Sequence, residues 1–296
     1  MPITTRIPSL PLLPVFSCLL AATLWGIFWY PLRQMEALGV PGLWAILVVY
    51  IFASVAVAPW LWRQRAAFRQ ISPDLLVIGL AAGWCNLAFA LAVLEGTVVR
   101  VLLLFYLAPM WTILLGIVIL RERPGRQDGI TLAIAMFGAL IMLWPGLVDW
   151  SDGVSRADGF AITAGLAFAL TNVMVRKAGD QPIALKMIAA WLGVLVLTVS
   201  AIILTANPFP VAATAGGWWL AALFGLFGMT LMTFTAQYGV TYLPIYHSAI
   251  LFLFEVVAGA VSAWLLTSEV VTVHEWVGGS LVMLAAWLSA RASRQI

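Results

Sequence analysis

Residues 104–122, LFYLAPMWTILLGIVILRE, and residues 251–269, LFLFEVVAGAVSAWLLTSE, lie over one another at a constant offset of 147. Leu104 meets Leu251, Phe105 meets Phe252 and Glu122 meets Glu269, each glutamate closing a long apolar run. Pro109 falls on Val256 and Gly116 on Ala263. Each stretch belongs to a run long enough for a helix to cross hydrocarbon about 30 Å thick, which takes roughly 20 apolar residues. Working outward, ten such runs can be marked, at 13–32, 42–62, 75–94, 98–120, 129–146, 159–177, 184–205, 217–239, 244–267 and 273–290. With 64% hydrophobic and 9% charged residues among 296 and a mean hydropathy of +1.05, the chain lacks the polar surface to cover a water-soluble globule. The expectation is an all-α polytopic membrane protein with ten transmembrane helices, short connections and no soluble domain.

The polar segment Pro145 to Asp158, with Gly146 and Gly153 in it, divides the chain into a first half, 1–147, and a second, 148–296, with five spans each. Five is odd, so the second half enters the bilayer from the opposite side. Two inverted five-helix repeats are a plan of secondary transporters, with the binding site near the midplane where the halves meet. Orientation follows from the basic residues, which concentrate in short cytoplasmic loops. A cytoplasmic N-terminus puts twelve of the fifteen lysines and arginines inside and leaves only Arg33, Arg100 and Arg156 on the outer side. The longest outer connection is acidic, with Asp149, Asp152 and Asp158. Both termini are then cytoplasmic, and the net charge of +3 reflects topology; it forms no nucleic-acid patch. Arg6 before an apolar run imitates a signal peptide, yet the run continues to Tyr30 with no Ala-x-Ala site, so a retained first helix is expected. Cys18 and Cys85 fall inside spans, where a thiol acts as a small apolar side chain and implies neither disulfide nor metal.

The pattern Leu107, Ala108, Pro109, with Glu122 thirteen residues after the proline, resembles the duplicated domain of the drug/metabolite transporter superfamily in its EamA branch. Glu255 and Val256 followed by Glu269 look like the family's Glu-Pro variant with the proline lost. Leu24, Trp25 and Gly26 in the first span, and Gly138 and Gly278 in the last span of each half, agree further. The resemblance covers nearly the whole chain. It implies a metabolite exporter of the bacterial inner membrane that works by alternating access, without a cofactor. This length and the aromatic share of 12% look most like exporters of aromatic and other neutral amino acids. The resemblance thus makes an amino acid the small-molecule partner, with the lipid bilayer around a monomer or homodimer. Another small metabolite or a cationic drug is the alternative within the superfamily. Because a mid-span proline removes a helical hydrogen bond and opens a kink, Val256 predicts a straighter ninth span.

Among side chains that could do the work, Glu255 comes first, since no other acid in the chain lies so deep in a predicted span. A charge at the bilayer centre costs roughly 2.5–3.5 kcal/mol on insertion scales, so it is expected to face a cavity or a partner. Ser248, Glu255 and Ser262 recur at seven-residue spacing with Gly259 beside them, which gives the helix a polar face. Two readings stand: contact with a substrate ammonium or an exchanged proton, or a protonated carboxyl bonded to a neighbouring helix. His247 can relay protons or serve as a structural histidine at the water boundary. Arg100, near the outer end of the fourth span, is expected to snorkel to the headgroups, with substrate carboxylate binding as the alternative. Asn86 either binds substrate or ties two helices together, and Asn172 is a candidate on the opposite wall. Trp25, Tyr106 and Trp111 lie away from the interfacial belts and either line an apolar pocket or pack in the core or against lipid.

Gly79 and Gly83 in the third span, and Gly217, Ala221 and Gly225 in the eighth, are spaced for close helix crossings. A membrane enzyme is the competing class, but the chain has no Gly-x-Ser-Gly and no His-Glu-x-x-His. Two histidines exclude a multi-histidine metal centre, and the lack of a Walker loop excludes an ATP-driven pump within this chain. The sequence therefore reads as a transporter and not an enzyme.

Overall fold

In hydrocarbon a backbone must satisfy its N–H and C=O groups within the segment, so apolar runs of this length fold as helices. The computed structural model, which describes residues 12–63, 72–143, 153–267 and 271–292, contains helices and no strand among those residues. Ten rods follow in order: Leu12–Ala37, Gly42–Arg63, Pro73–Val93, Arg100–Leu120, Arg126–Leu143, Arg156–Lys177, Ile183–Leu204, Ala215–Tyr242, Ile245–Leu266 and Val273–Ala292. The first nine are long and apolar enough to cross a membrane by length and composition. The tenth matches them in length, with His274, Glu275 and Arg291 near its ends.

Local chemistry fixes where several rods begin. Ser72 accepts the Asp74 N–H at 3.1 Å, with Pro73 at the first helical position. Thr214 accepts the Gly217 N–H at 3.2 Å. The sixth rod starts three residues earlier than expected because Ser155 and Asp158 form a capping box, the Asp158 carboxylate accepting the Ser155 N–H at 2.7 Å. Asp158 thus belongs to the sixth helix and not to the connection before it. The first rod ends at Gly39, whose φ of 86° lets the Val40 N–H turn back to the Met35 carbonyl at 2.9 Å.

Packing obeys a pseudo-twofold exchange of the halves, first with sixth, second with seventh, and so on to fifth with tenth. The third helix packs on the sixth and seventh, and correspondingly the eighth packs on the first and second. The fourth lies on the sixth as the ninth lies on the first, and the fifth crosses the tenth. The inversion itself is visible where Glu122, just past the end of the fourth helix, accepts the backbone N–H of Ile245 at the start of the ninth, at 2.8 Å. Repeat counterparts that lie side by side with end against start run in opposite directions. These crossings rest on small residues, as helix packing in lipid requires. A Cβ on Gly138 would lie 2.7 Å from the Gly278 carbonyl oxygen, and one on Gly79 2.8 Å from that of Ala189. Large apolar side chains such as Trp62, Phe137, Val196 and Trp219 project outward, an arrangement suited to lipid. The expected division between 147 and 148, with Asp149, Asp152, Glu269 and basic residues 6, 65, 69 and 294, lies outside the described residues.

Candidate functional site

Pro109 has no N–H to donate and its ring crowds the preceding turn, so the fourth helix cannot run through it unbroken. Val98–Phe105 ends there, Tyr106 and Leu107 form a turn, and Ala108–Leu115 restarts the helix. The Leu107 N–H reaches the Leu104 carbonyl at 3.3 Å and the Met110 N–H the Leu107 carbonyl at 3.0 Å. These are the shorter bonds of a tightened turn. The ninth helix is not straighter. It breaks at Leu253 between Ile245–Phe252 and Phe254–Leu266, at the position 147 residues after Tyr106. The Leu253 and Val256 N–H groups there reach the Ile250 and Leu253 carbonyls, each at 3.2 Å. The break is thus present without the proline. A glycine of the crossing helix lies close to each break: a Cβ on Gly165 would lie 2.7 Å from the Phe105 oxygen, just before the first turn, and one on Gly26 2.6 Å from the Glu255 oxygen, inside the restarted ninth helix.

A tight cavity of about 20 Å³, room for a water molecule, lies between the two broken helices and the sixth. Tyr106, Leu253 and Glu255 bring both breaks to its wall. Phe105, Phe168 and Phe252 form an aromatic row there, with ring centroids 5.7 and 6.0 Å apart. Phe105 and Phe252, the identical pair in the two repeat stretches, thus both pack on the ring of the sixth helix. The remaining polar lining is Thr112, Asn172 and Ser248, and the Tyr106 hydroxyl stands beside the Glu255 carboxyl. No described lining residue is basic. An intramembrane carboxylate carries a high desolvation cost, and a tyrosine donor beside a cavity is the kind of setting that offsets it.

The structure brings Glu255, Tyr106 and Asn172 together and puts the other candidates elsewhere. Asn86 accepts from the Tyr50 hydroxyl at 3.0 Å and donates to the Ala82 carbonyl at 2.9 Å, so it joins the second and third helices. Trp25 packs edge-on against Phe28, with centroids 5.4 Å apart, among the core side chains of the first helix. Trp111 is half-buried outside the cavity wall, its indole N–H buried without an acceptor among the described residues. His247 is fully buried, with Nδ1 2.8 Å from the Ser289 hydroxyl of the tenth helix. Reading the sequence did not single out Phe105, Phe168 or Phe252 as lining residues. The identity of Phe105 and Phe252 across the repeat was the available signal for two of them; an isolated Phe168 in an apolar span carries none.

Charged side chains tie the fourth helix to the sixth at both ends. Arg100 does not snorkel. It is buried, donating to Asp158 through Nε at 2.6 Å and through a terminal nitrogen at 2.5 Å, and to the Gly153 carbonyl at 2.6 Å. A bidentate partner already held by a capping box outcompetes water for the guanidinium. At the other end Glu122 accepts from Arg176 Nε at 2.9 Å while capping the ninth helix, and Arg176 also reaches the Thr241 carbonyl at 2.6 Å. Lys186 is fully buried beside them, donating to the Thr241 hydroxyl at 2.7 Å.

The EamA-like transporter family matches residues 12–144 and again 155–291. A Bacillus subtilis (strain 168) protein bearing the name uncharacterized transporter YojE is 23% identical over 242 residues, 77% of this chain and 76% of that one. A crystal structure at 15% identity superposes with a TM-score of 0.76 over 96% of this chain and 99% of its own, which bears on the fold alone. The chain belongs to the EamA-like transporter family, a multi-pass membrane protein of the drug/metabolite transporter superfamily.

Proposed function

We propose that this protein exports small solutes bearing an ammonium group and an aromatic or aliphatic body, a class that includes aromatic and other neutral amino acids. The observation that carries this reading is the carboxylate of Glu255 facing a phenylalanine-lined cavity between the two helix breaks. Glu255 is the eleventh residue of a 22-residue rod, Ile245–Leu266, and so lies near the midplane. Transport follows by alternating access: the two five-helix halves, 1–147 and 148–296, rock about the cavity and open it first to the cytoplasm and then outside. The basic residues orient both termini toward the cytoplasm of a bacterial inner membrane. With no nucleotide motif in the chain, the driving force is the solute gradient or a proton exchanged at Glu255.

Counterflow tests the reading. Proteoliposomes loaded with unlabelled phenylalanine should accumulate radiolabelled phenylalanine, with other neutral amino acids blocking the accumulation and sugars leaving it intact. A folded preparation that accumulates none, and whose counterflow with a loaded panel of other amino acids is equally silent, refutes the amino-acid assignment.

A further inference from the structure

The geometry points to a cavity that recognises the ammonium and the apolar body of its solute but not a carboxylate, so that amines lacking the carboxylate are better ligands than the matching amino acids. This rests on the ammonium-bearing class proposed above and narrows it. A ledger of donors and acceptors on the cavity wall carries it. Thr112 Oγ1 donates to the Ala108 carbonyl at 2.8 Å and Ser248 Oγ to the Ile245 carbonyl at 2.9 Å, so both hydroxyl protons are spent on the backbone. The Tyr106 hydroxyl stands beside Glu255, whose carboxylate is the stronger acceptor for its proton. What these three groups still offer a ligand is oxygen lone pairs. Glu255 itself only accepts, and among the described lining residues the Asn172 amide alone keeps uncommitted N–H donors.

At the helix breaks several further N–H groups are already committed. A restarting helix ordinarily points free N–H groups at an anion. Here Pro109 has none, the Leu107 N–H is taken by Leu104, and those of Met110 and Trp111 are taken by the Leu107 carbonyl at 3.0 and 3.3 Å. In the ninth helix the Leu253 and Val256 N–H groups are likewise bonded to Ile250 and Leu253. A substrate carboxylate would therefore find one neutral amide, a neighbouring carboxylate of its own sign and the negative faces of the phenyl rings. An ammonium finds a carboxylate, several lone pairs and those same ring faces, all of which attract it.

The test is calorimetric titration of the detergent-solubilised protein with three ligands that share one phenyl body: phenethylamine, phenylalanine and 3-phenylpropionate. Binding is read in solution because uncharged amine leaks through vesicles. Phenethylamine should bind at least tenfold more tightly than phenylalanine, and 3-phenylpropionate should not bind measurably. Asn172→Leu should weaken phenylalanine several-fold while changing phenethylamine less than twofold, since only the amino acid has a group that needs the amide. Phenylalanine binding as tightly as the amine, or Asn172→Leu weakening both ligands equally, overturns the inference and leaves amino-acid export standing. Folded protein that binds neither ammonium compound overturns the inference and the proposed substrate class together.

Discussion

In the fourth helix the break at Tyr106 and Leu107 stands directly before Pro109, whereas in the ninth the break at Leu253 stands before Glu255 and Val256, with no proline near. The two positions correspond across the repeat, and both line the same cavity. One copy thus contributes a tyrosine donor and the other a carboxylate. Each has a partner glycine close by, Gly165 against the Phe105 carbonyl before one break and Gly26 against the Glu255 carbonyl after the other. The break therefore does not require proline, which is one way of making it inexpensive. Freed from that task, the second copy can carry an acid where the first carries Ala108, and pseudo-symmetric scaffolding yields an asymmetric site.

The strongest way to break this comparison is to neutralise the acid. Glu255→Gln should abolish export driven by a pH gradient while leaving phenylalanine exchange within a few-fold of wild type. Equal loss of both activities, or of neither, assigns Glu255 a different role. The fourth helix has no such acid, and its charged contribution lies at its end. Asp158→Asn leaves the Arg100 guanidinium buried without its counter-charge, and the loss should be about 3–5 kcal/mol, read as a large drop in midpoint on heating in detergent. An unchanged midpoint would mean that the pair breaks even against water.

Enlarging the glycines probes the crossings themselves. Gly26→Leu and Gly165→Leu should each cost about 1–3 kcal/mol through overpacking, and both should impair transport, since each presses on a break. Damage from only one of them would mean that the two bends are held differently. The smallest effect is expected for Val256→Pro. A proline in an unbroken helix costs about 3 kcal/mol, as Leu195→Pro in the seventh helix should show. At Val256 the helix is already broken and the only bond lost is the 3.2 Å contact to Leu253, so the cost should stay near 1 kcal/mol. A penalty as large as that of Leu195→Pro would show that the ninth helix is continuous in solution.

The apolar runs, the ten rods and the inverted duplication were legible in the sequence because the hydrocarbon slab imposes one length and one backbone solution on every crossing segment. The depth of Glu255 was legible for the same reason. Which way each helix turns its side chains was not, because nearly every face of these helices is apolar and hydrophobic periodicity then says nothing about rotation. Only tertiary structure could commit Asn86 to Tyr50, bury Arg100 against Asp158, retire Trp25 to the core and turn Phe105, Phe168 and Phe252 toward a common space. The ninth helix makes the same point for the backbone. Its residues carry no helix breaker at Leu253, and the turn there emerged only in the folded structure, because tertiary packing can fix a conformation that local preference leaves open.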